Sequence, residues 1–252
     1  MANPLLGTFR GAQTLRQLDK ASADLEAFLR PYAVADVAMV VYEPGRDDTL
    51  PPGLTSTVDA TSTDYAYTAT NAGPVWRATT GATANAYAQL KCDSVGLNAS
   101  KNPGMEVIFS TNVATGGVEF GLSDPLADDT LPALGTFSPP VVSNGATDCG
   151  FFWFQSAAAQ GLVADGTGVA AAKDNLLSTY PMPTGLTNFN KIMVQVTPGG
   201  VYCVINDIAQ LAMRVSTGPA ANVLMRPHCL IGTFGAADYT LDIKYLRVWQ
   251  DR

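Results

Sequence analysis

Short runs of alternating apolar and polar residues dominate the sequence from residue 56 to its end. Because successive residues of a strand point to opposite faces of a sheet, a period of two indicates a β-strand. The pattern predicts about twelve strands, at 64–69, 74–79, 85–92, 105–110, 117–122, 149–156, 160–165, 191–197, 201–206, 209–215, 223–231 and 239–250. Gly, Pro, Asn and Asp separate these runs, as expected for turns. The sequence therefore predicts an all-β protein, a two-sheet antiparallel sandwich of the jelly-roll type.

The C-terminal run, 239–250, has the clearest alternation. Leu241 and Ile243 would face one side of a sheet and Asp242 the other, which indicates a half-buried strand. The phase changes after Tyr245, which predicts a β-bulge. Chain ends are usually frayed and polar, so this pattern predicts a terminus that is built into a core.

Residues 191–215 predict a three-stranded meander. The segment "PGG" at 198–200 would form the first turn, and Asn206-Asp207 would form the second. Asn and Asp tolerate the left-handed conformations that two-residue hairpin turns require.

The first 54 residues differ in pattern from the rest and are interpreted as an N-terminal arm. Thr14 and Gln17 form a capping-box signature before an amphipathic helix at about 15–30. An extended stretch at 34–42 and a Pro-rich linker follow, and the jelly-roll domain would comprise 55–252. The helix either covers the protein's own sheet or docks on a neighbouring subunit. Its candidate docking residues are Leu15, Leu18, Leu25, Phe28 and Leu29.

The charge pattern excludes two classes of partner. Fifteen Lys and Arg stand against 22 Asp and Glu, with no basic run, so we expect no nucleic-acid ligand. The longest apolar stretch, 33–42, contains Asp36 and is too short to span a bilayer, so we expect no membrane partner. The N-terminus lacks the pattern of a signal peptide, which predicts synthesis in a host cytoplasm without secretion.

Neither a metal nor another cofactor is predicted. Cys92, Cys149, Cys203 and Cys229 are scattered without a Cys-x-x-Cys pair, which indicates buried thiols, although one bridge stays open as an alternative. The acidic segment 123–130, with Asp124, Asp128 and Asp129, lacks the spacing of a calcium-binding loop. A solvated loop is the simpler interpretation.

The order of the C-terminal motifs resembles the concanavalin A-like lectin/glucanase jelly roll, in particular its laminin-G-like versions. The resemblance rests on "FNKI" at 189–192, "VYCVINDIAQLAMRV" at 201–215, "LMRPHCLIGTF" at 224–234 and "LDIKYLRVWQ" at 241–250. It implies that the last strand returns beside the first in the middle of a sheet. Lectins, glycosidases and virion structural proteins share this fold, so the fold alone does not assign a function.

The sequence lacks the catalytic patterns that go with such a fold. Members resembling endoglucanases need two carboxylates on one strand, spaced Glu-x-Asp-x-x-Glu. Glu106 and Glu119 have no such companion, and Asp124 lies five positions from Glu119, on the opposite face. The single histidine, His228, has no Gly-x-Ser-x-Gly serine to activate, so we expect no enzymatic activity. A catalytic triad of His228 with Ser143 or Ser216 and an aspartate could be chosen only arbitrarily.

Two groups of aromatic residues are candidates for a sugar-binding surface. The run Phe151, Phe152, Trp153 and Phe154 does not alternate, which indicates a strand covered on both faces and therefore core. Candidate exposed aromatics that could stack on a sugar ring are Tyr65, Tyr67, Trp76 and Tyr87.

Together these patterns predict a non-enzymatic virion structural protein, such as a phage capsid decoration, cement or tail-associated protein. It would form a homo-oligomer, contact capsid or tail subunits, and reside in the virion. The alternative is a lectin-like carbohydrate-binding module or receptor-binding adhesin with a glycan ligand. A glycoside hydrolase is the third hypothesis.

Overall fold

The computed structural model describes residues 37–44, 49–92, 96–114, 116–124, 148–156, 159–165, 174–178, 182–198, 200–207, 213–215 and 218–251. These residues form sixteen strands and one short 3-10 helix, η1 (Ala99–Lys101). The strands are β1 (Val37–Tyr42), β2 (Thr55–Val58), β3 (Thr63–Thr70), β4 (Gly73–Thr79), β5 (Tyr87–Lys91), β6 (Leu97–Asn98), β7 (Gly104–Thr111), β8 (Gly116–Ser123), β9 (Cys149–Ser156), β10 (Ala159–Asp165), β11 (Asp174–Ser178), β12 (Asn190–Thr197), β13 (Gly200–Ile205), β14 (Met213–Val215), β15 (Leu224–Thr233) and β16 (Thr240–Asp251).

The strands form two antiparallel sheets that pack face to face. Sheet A has the order β14-β13-β12-β7-β16-β4-β3, and β1 pairs with the C-terminal half of β16. Sheet B has the order β11-β10-β9-β8-β15-β5-β2, and β6 pairs with the start of β15. This is the two-sheet jelly-roll sandwich that the sequence predicts.

Each of the twelve predicted strands overlaps a strand of the structure, and four strands lie outside those predictions. The strand predicted at 209–215 is described only as Met213–Val215, since 208–212 lie outside the described residues. Strands β2, β6 and β11 were missed because they are two to five residues long and show no apolar alternation. Short strands of this kind at a sheet edge form through backbone pairing more than through burial.

The arm predicted from the sequence contributes a strand to sheet A. Its extended stretch contains β1, which pairs with 246–251 of β16 from Val37↔Asp251 to Tyr42↔Leu246. The predicted helix at 15–30 lies outside the described residues, as do its candidate docking residues Leu15, Leu18, Leu25, Phe28 and Leu29.

The C-terminal strand β16 lies in the middle of sheet A, between β7 and β4, and beside the first strand. Its pairing with β7 shifts register between Ile243 and Tyr245, which confirms the predicted bulge. The polar face is less solvated than the alternation indicated, because Asp242 is fully buried. Arg77 compensates this carboxylate with two hydrogen bonds of 2.6 Å, from Nε and Nη2.

The core lies between the sheets and joins them through aromatic rings. Phe109 of β7 and Phe120 of β8 are fully buried, with ring centroids 4.3 Å apart. All four cysteines are buried, and none of these described residues forms a disulfide. Burial raises the pKa of the Cys203 and Cys229 thiols, which keeps them protonated and unreactive at neutral pH.

The meander at 190–215 folds as predicted, with β12, β13 and β14 adjacent in sheet A. Asn206 and Asp207 have positive φ angles of 52° and 59°, as predicted for a turn. The pairing of Cys203 with Met213 corrects the predicted turn length, because a two-residue turn at 206–207 would place Cys203 opposite residue 210. Asn206 also accepts a hydrogen bond of 2.7 Å from the Lys191 N–H through its side chain, which fixes the turn to β12.

Candidate functional site

The outer face of sheet B, which points away from sheet A, carries a cluster of polar and aromatic side chains. Strands β5, β15, β8 and β9 are neighbours at the centre of this sheet. Their core-facing residues include Leu90, Cys229, Phe120 and Phe152. Because side chains alternate along a strand, the residues between them point outward. The outward residues include Tyr87, Gln89, Lys91, Glu119, Gly121, Ser123, Phe151, Trp153, His228 and Leu230.

Strand pairing arranges the cluster in rows across the sheet. One row contains Gln89, Leu230, Glu119 and Trp153, in register on β5, β15, β8 and β9. With neighbouring strands about 4.8 Å apart, such a row spans roughly 14 Å. The length matches two or three rings of an oligosaccharide or a similar polar ligand.

A serine, a histidine and a glutamate form a chain within this cluster. Ser123 Oγ lies 3.4 Å from His228 Nδ1, and His228 Nε2 lies 3.6 Å from Glu119 Oε2. Residues 119 and 123 are four apart on β8 and therefore share a face, while His228 lies opposite Gly121 on β15. The serines considered from the sequence, Ser143 and Ser216, lie outside the described residues.

The Ser123–His228–Glu119 arrangement does not have the surroundings of a hydrolytic triad. Ser123 lies within β8 and pairs with Arg226 on one side and Cys149 on the other. In a strand paired on both edges the backbone N–H groups are used in the ladder, whereas an oxyanion hole needs N–H groups directed at the substrate. Ser123 is also buried.

The paired carboxylates of a glycosidase are likewise not found on these strands. Glu119 is the one carboxylate that β5, β8, β9 and β15 direct to the outer face. Glu106 lies on β7 in sheet A, where it pairs with Arg247 and Lys191. The four central strands of sheet B therefore lack the second carboxylate that glycoside hydrolysis uses.

Gln89 is the most informative residue of the face. Its side chain is fully buried, yet neither the amide nitrogen nor the amide oxygen has a hydrogen-bond partner among the described residues. Buried polar groups in folded proteins are almost always hydrogen-bonded, so an exception calls for an explanation such as a ligand. Gln89 lies in the same row as Glu119 and Trp153.

Tyr87 stands at one end of this face and is partly exposed. The same row continues with Gly232 on β15 and Gly117 on β8, which bear no side chains. The ring of Tyr87 therefore lies beside backbone that bears no side chains. It marks the edge of the buried part of the face.

Asp59 fixes the β2–β3 loop against the start of β5, next to Tyr87. Its carboxylate accepts hydrogen bonds from the backbone N–H groups of Tyr87 (3.0 Å) and Thr61 (3.1 Å) and from the hydroxyls of Thr61 and Ser62. Burial alone would raise the pKa of Asp59, but these hydrogen bonds outweigh it and lower the pKa to about 2. Asp59 is therefore ionised at neutral pH and its lone pairs are used within the loop.

The other aromatic candidates differ from expectation. Tyr65 and Trp76, expected to be exposed, are buried in the core because they lie on the side of β3 and β4 that faces sheet B. Tyr67 is partly exposed. The run Phe151, Phe152, Trp153 and Phe154 is buried throughout, which confirms the prediction that both faces of this strand are covered.

The described residues offer neither a metal site nor a membrane-spanning helix. They contain no group of three or more His, Cys, Asp or Glu arranged to hold a metal ion. Asp124 follows β8, while Asp128 and Asp129 lie outside the described residues. No helix in the described part of the chain is long and apolar enough to cross a bilayer.

Comparison of the sequence with known families and with curated proteins gives no match. Comparison of the structure with solved protein structures gives many matches. The carbohydrate recognition domain of Emp47p superposes with a TM-score of 0.55 at 10% identity, covering 84% of this chain and 95% of that domain. Peanut lectin gives a TM-score of 0.56 at 11% identity, covering 85% and 97%. A conserved carbohydrate esterase from the Shiga toxin-encoding bacteriophage phi24B gives 0.51 at 14% identity, covering 86% and 100%.

These similarities confirm the predicted fold. The Emp47p domain and peanut lectin both align over nearly their whole length, so the chain has the concanavalin A-like lectin fold. At such low identity the likeness concerns architecture alone, and a function has to be argued from the site.

Proposed function

We propose that this protein is a non-enzymatic, lectin-like carbohydrate-binding protein whose site is the outer face of sheet B. The observation that carries the proposal is the fully buried amide of Gln89, which has no hydrogen-bond partner among the described residues. The lectin fold supports the same conclusion, since the similar structures include a carbohydrate recognition domain and a plant lectin.

The chemistry of the face suits a sugar. A pyranose presents hydroxyls that donate and accept hydrogen bonds on its edges and C–H groups on its faces. The amide of Gln89 offers one acceptor and a donor group, and the carboxylate of Glu119 offers acceptors in the same row. The ring of Tyr87, which is partly exposed, supplies a surface on which sugar C–H groups can pack.

The proposal that the protein is not an enzyme rests on two features of the same face. The Ser123–His228–Glu119 chain lies on a strand whose backbone N–H groups are used in pairing, and Glu119 has no second carboxylate on the four central strands. The phage esterase shows that a protein with this architecture can be an enzyme, so the proposal depends on the site and not on the fold.

A glycan array probed with the purified full-length chain tests the proposal, followed by calorimetry with the best sugar. We expect Gln89→Leu to weaken binding about tenfold, because one hydrogen bond to a buried polar group is worth about 1–2 kcal/mol. The same substitution should leave the free energy of unfolding unchanged or raise it, since it removes a buried polar group without a partner. A residue with a purely structural role would show the opposite.

Gln195→Leu is the matched control. Gln195 is equally buried, but it lies on β12 in sheet A and donates a hydrogen bond of 3.2 Å to the carbonyl of Asn102. It should leave sugar affinity unchanged and lower the free energy of unfolding. If no sugar gave competable binding the carbohydrate function would be wrong, and if Gln89→Leu bound like the native chain the site would be elsewhere.

A second candidate function is favoured by one observation, the apolar edge strand β1. Met39, Val40 and Val41 are 41%, 39% and 45% exposed in succession, and β1 pairs only with β16 among the described strands. Natural proteins usually protect such edges with charges or prolines, so an uncharged edge indicates a contact surface. The candidate is a structural role in a phage virion, as a capsid decoration, cement or tail-associated protein that forms a homo-oligomer and contacts neighbouring subunits.

Sedimentation separates the two functions. A virion structural protein should sediment with a large particle from its native source, and replacing Val40 and Val41 by lysine should release it, since buried apolar area is exchanged for charge. A carbohydrate-binding protein that acts alone would sediment as a small species and bind its sugar. If the protein sedimented with no particle and bound no sugar, both functions would be contradicted.

A further inference from the structure

The outer face of sheet A has a residue composition typical of a protein core. Strand pairing places one row as Met39, Trp249, Gly104, Gln195 and Tyr202, on β1, β16, β7, β12 and β13. The next row is Val41, Arg247, Glu106, Met193 and Val204. A solvent-exposed outer face would carry mostly polar residues. The two rows on this face instead include a tryptophan, two methionines, a tyrosine and two valines.

The central part of this face is also buried. Trp249, Met193, Val204 and Tyr202 all have the low exposure of core residues. The described elements that make the principal contacts with β7, β12, β13 and β16 belong to sheet A itself, to sheet B or to η1. The contacts across sheet B lie on the opposite side, so they do not explain the burial of outward side chains. A further part of the protein must shield this face.

Chain length and position identify one segment for this role. Only two stretches outside the described residues have more than twenty residues, 1–36 and 125–147. The second begins and ends at sheet B, where the Asp124 N–H donates to the Asp148 carbonyl at 2.9 Å. The first leads directly into Val37 of β1, at the edge of the outer face of sheet A.

We propose that residues 1–36 cover the outer face of sheet A of their own chain, with the apolar side of the helix predicted at 15–30 against it. A helix of that length would extend about 24 Å. The four strands β16, β7, β12 and β13 span about 14 Å, so one helix can cross them all and leave Met39 on β1 exposed. Leu18, Leu25 and Leu29 would then pack on Met193, Tyr202 and Val204. Of the two roles that the sequence allows for this helix, the structure favours docking within the chain.

The oxidation of methionine side chains tests the proposal, because reactivity toward hydrogen peroxide follows access to the sulfur. Met193 reports on the outer face, Met39 is an exposed reference, and Met105 is a core-facing reference on β7. In the full-length protein we expect Met193 to be protected like Met105. In Leu25→Asp/Leu29→Asp we expect its oxidation rate to rise about tenfold toward that of Met39, with Met105 unchanged, because two buried charges would displace the helix.

Ala23→Asp/Ala27→Asp is the matched control, since it adds the same two charges at the same spacing on the opposite side of the predicted helix. It should leave Met193 protected. Equal protection of Met193 in both variants would overturn the proposal. If Met105 also became reactive, the milder Leu25→Ser/Leu29→Ser would decide by the same comparison. A dimer that loses Met193 protection on dilution would show instead that the arm covers a second copy.

Discussion

Replacing Glu106 by leucine is expected to lower the free energy of unfolding by about 3–5 kcal/mol. Glu106 and Arg247 face each other across β7 and β16, with Arg247 Nη2 3.0 Å from Glu106 Oε2 and both side chains about 5% exposed. The leucine would leave the guanidinium buried without this carboxylate. An ion that is removed from water and loses its counter-ion is among the most destabilising changes a core can undergo.

Urea unfolding of two further variants isolates this pair. Lys191→Met removes the other cation near Glu106, at 3.3 Å, but Lys191 is partly exposed and also pairs with Asp207, so the loss should be below about 1 kcal/mol. The double variant Glu106→Leu/Arg247→Met should recover most of the stability, because both charges leave the apolar face together. A Glu106→Leu protein as stable as the native chain would mean that this face is hydrated.

Much of the fold could be predicted because alternation is a local property. The run 239–250 identified its own strand and its bulge without any knowledge of neighbours, and Asn206-Asp207 identified a turn by the backbone conformations those residues tolerate. The resemblance to concanavalin A-like proteins then placed the last strand beside the first, as the pairing of β1 with β16 confirms.

The site could not be predicted because it depends on register between distant strands. Ser123 and Glu119 share a face by their spacing, but nothing in the sequence states that His228, 105 residues from Ser123, lies across from them. The same holds for Glu106 and Arg247, which are 141 residues apart. A one-residue change in the pairing of β15 with β8 would turn His228 to the core.

The assumption that polar residues face solvent also failed, for a physical reason. Asp242, Gln89 and Gln195 sit at polar positions of the alternation and are nonetheless fully buried. Alternation distinguishes the two faces of a strand, but it does not tell whether the outer face is covered in turn. The same gap explains why Tyr65 and Trp76 are buried against the prediction, since their spacing alone does not indicate which face meets the core.

The packing around Gly121 bears directly on the absence of a second carboxylate. In the glucanase-like pattern the position two residues after the first glutamate is an aspartate, and two residues after Glu119 this chain has Gly121. A Cβ at this position would lie 2.3 Å from Phe151 Cβ and 2.4 Å from the Gly150 carbonyl oxygen. Neither neighbour can rotate away, because one is backbone and the other is attached to it.

Gly121→Ala is therefore expected to lower the free energy of unfolding by about 3 kcal/mol, since even one methyl group forces β8 and β9 apart. Gly218→Ala is the control, because its Cβ would make ordinary contacts at 3.4–3.6 Å and its φ is not positive. Urea unfolding of both variants against the native chain measures the difference. A Gly121→Ala protein as stable as Gly218→Ala would mean that β8 has room for a side chain at this position. Packing would then no longer explain why β5, β8, β9 and β15 direct a single carboxylate to the outer face.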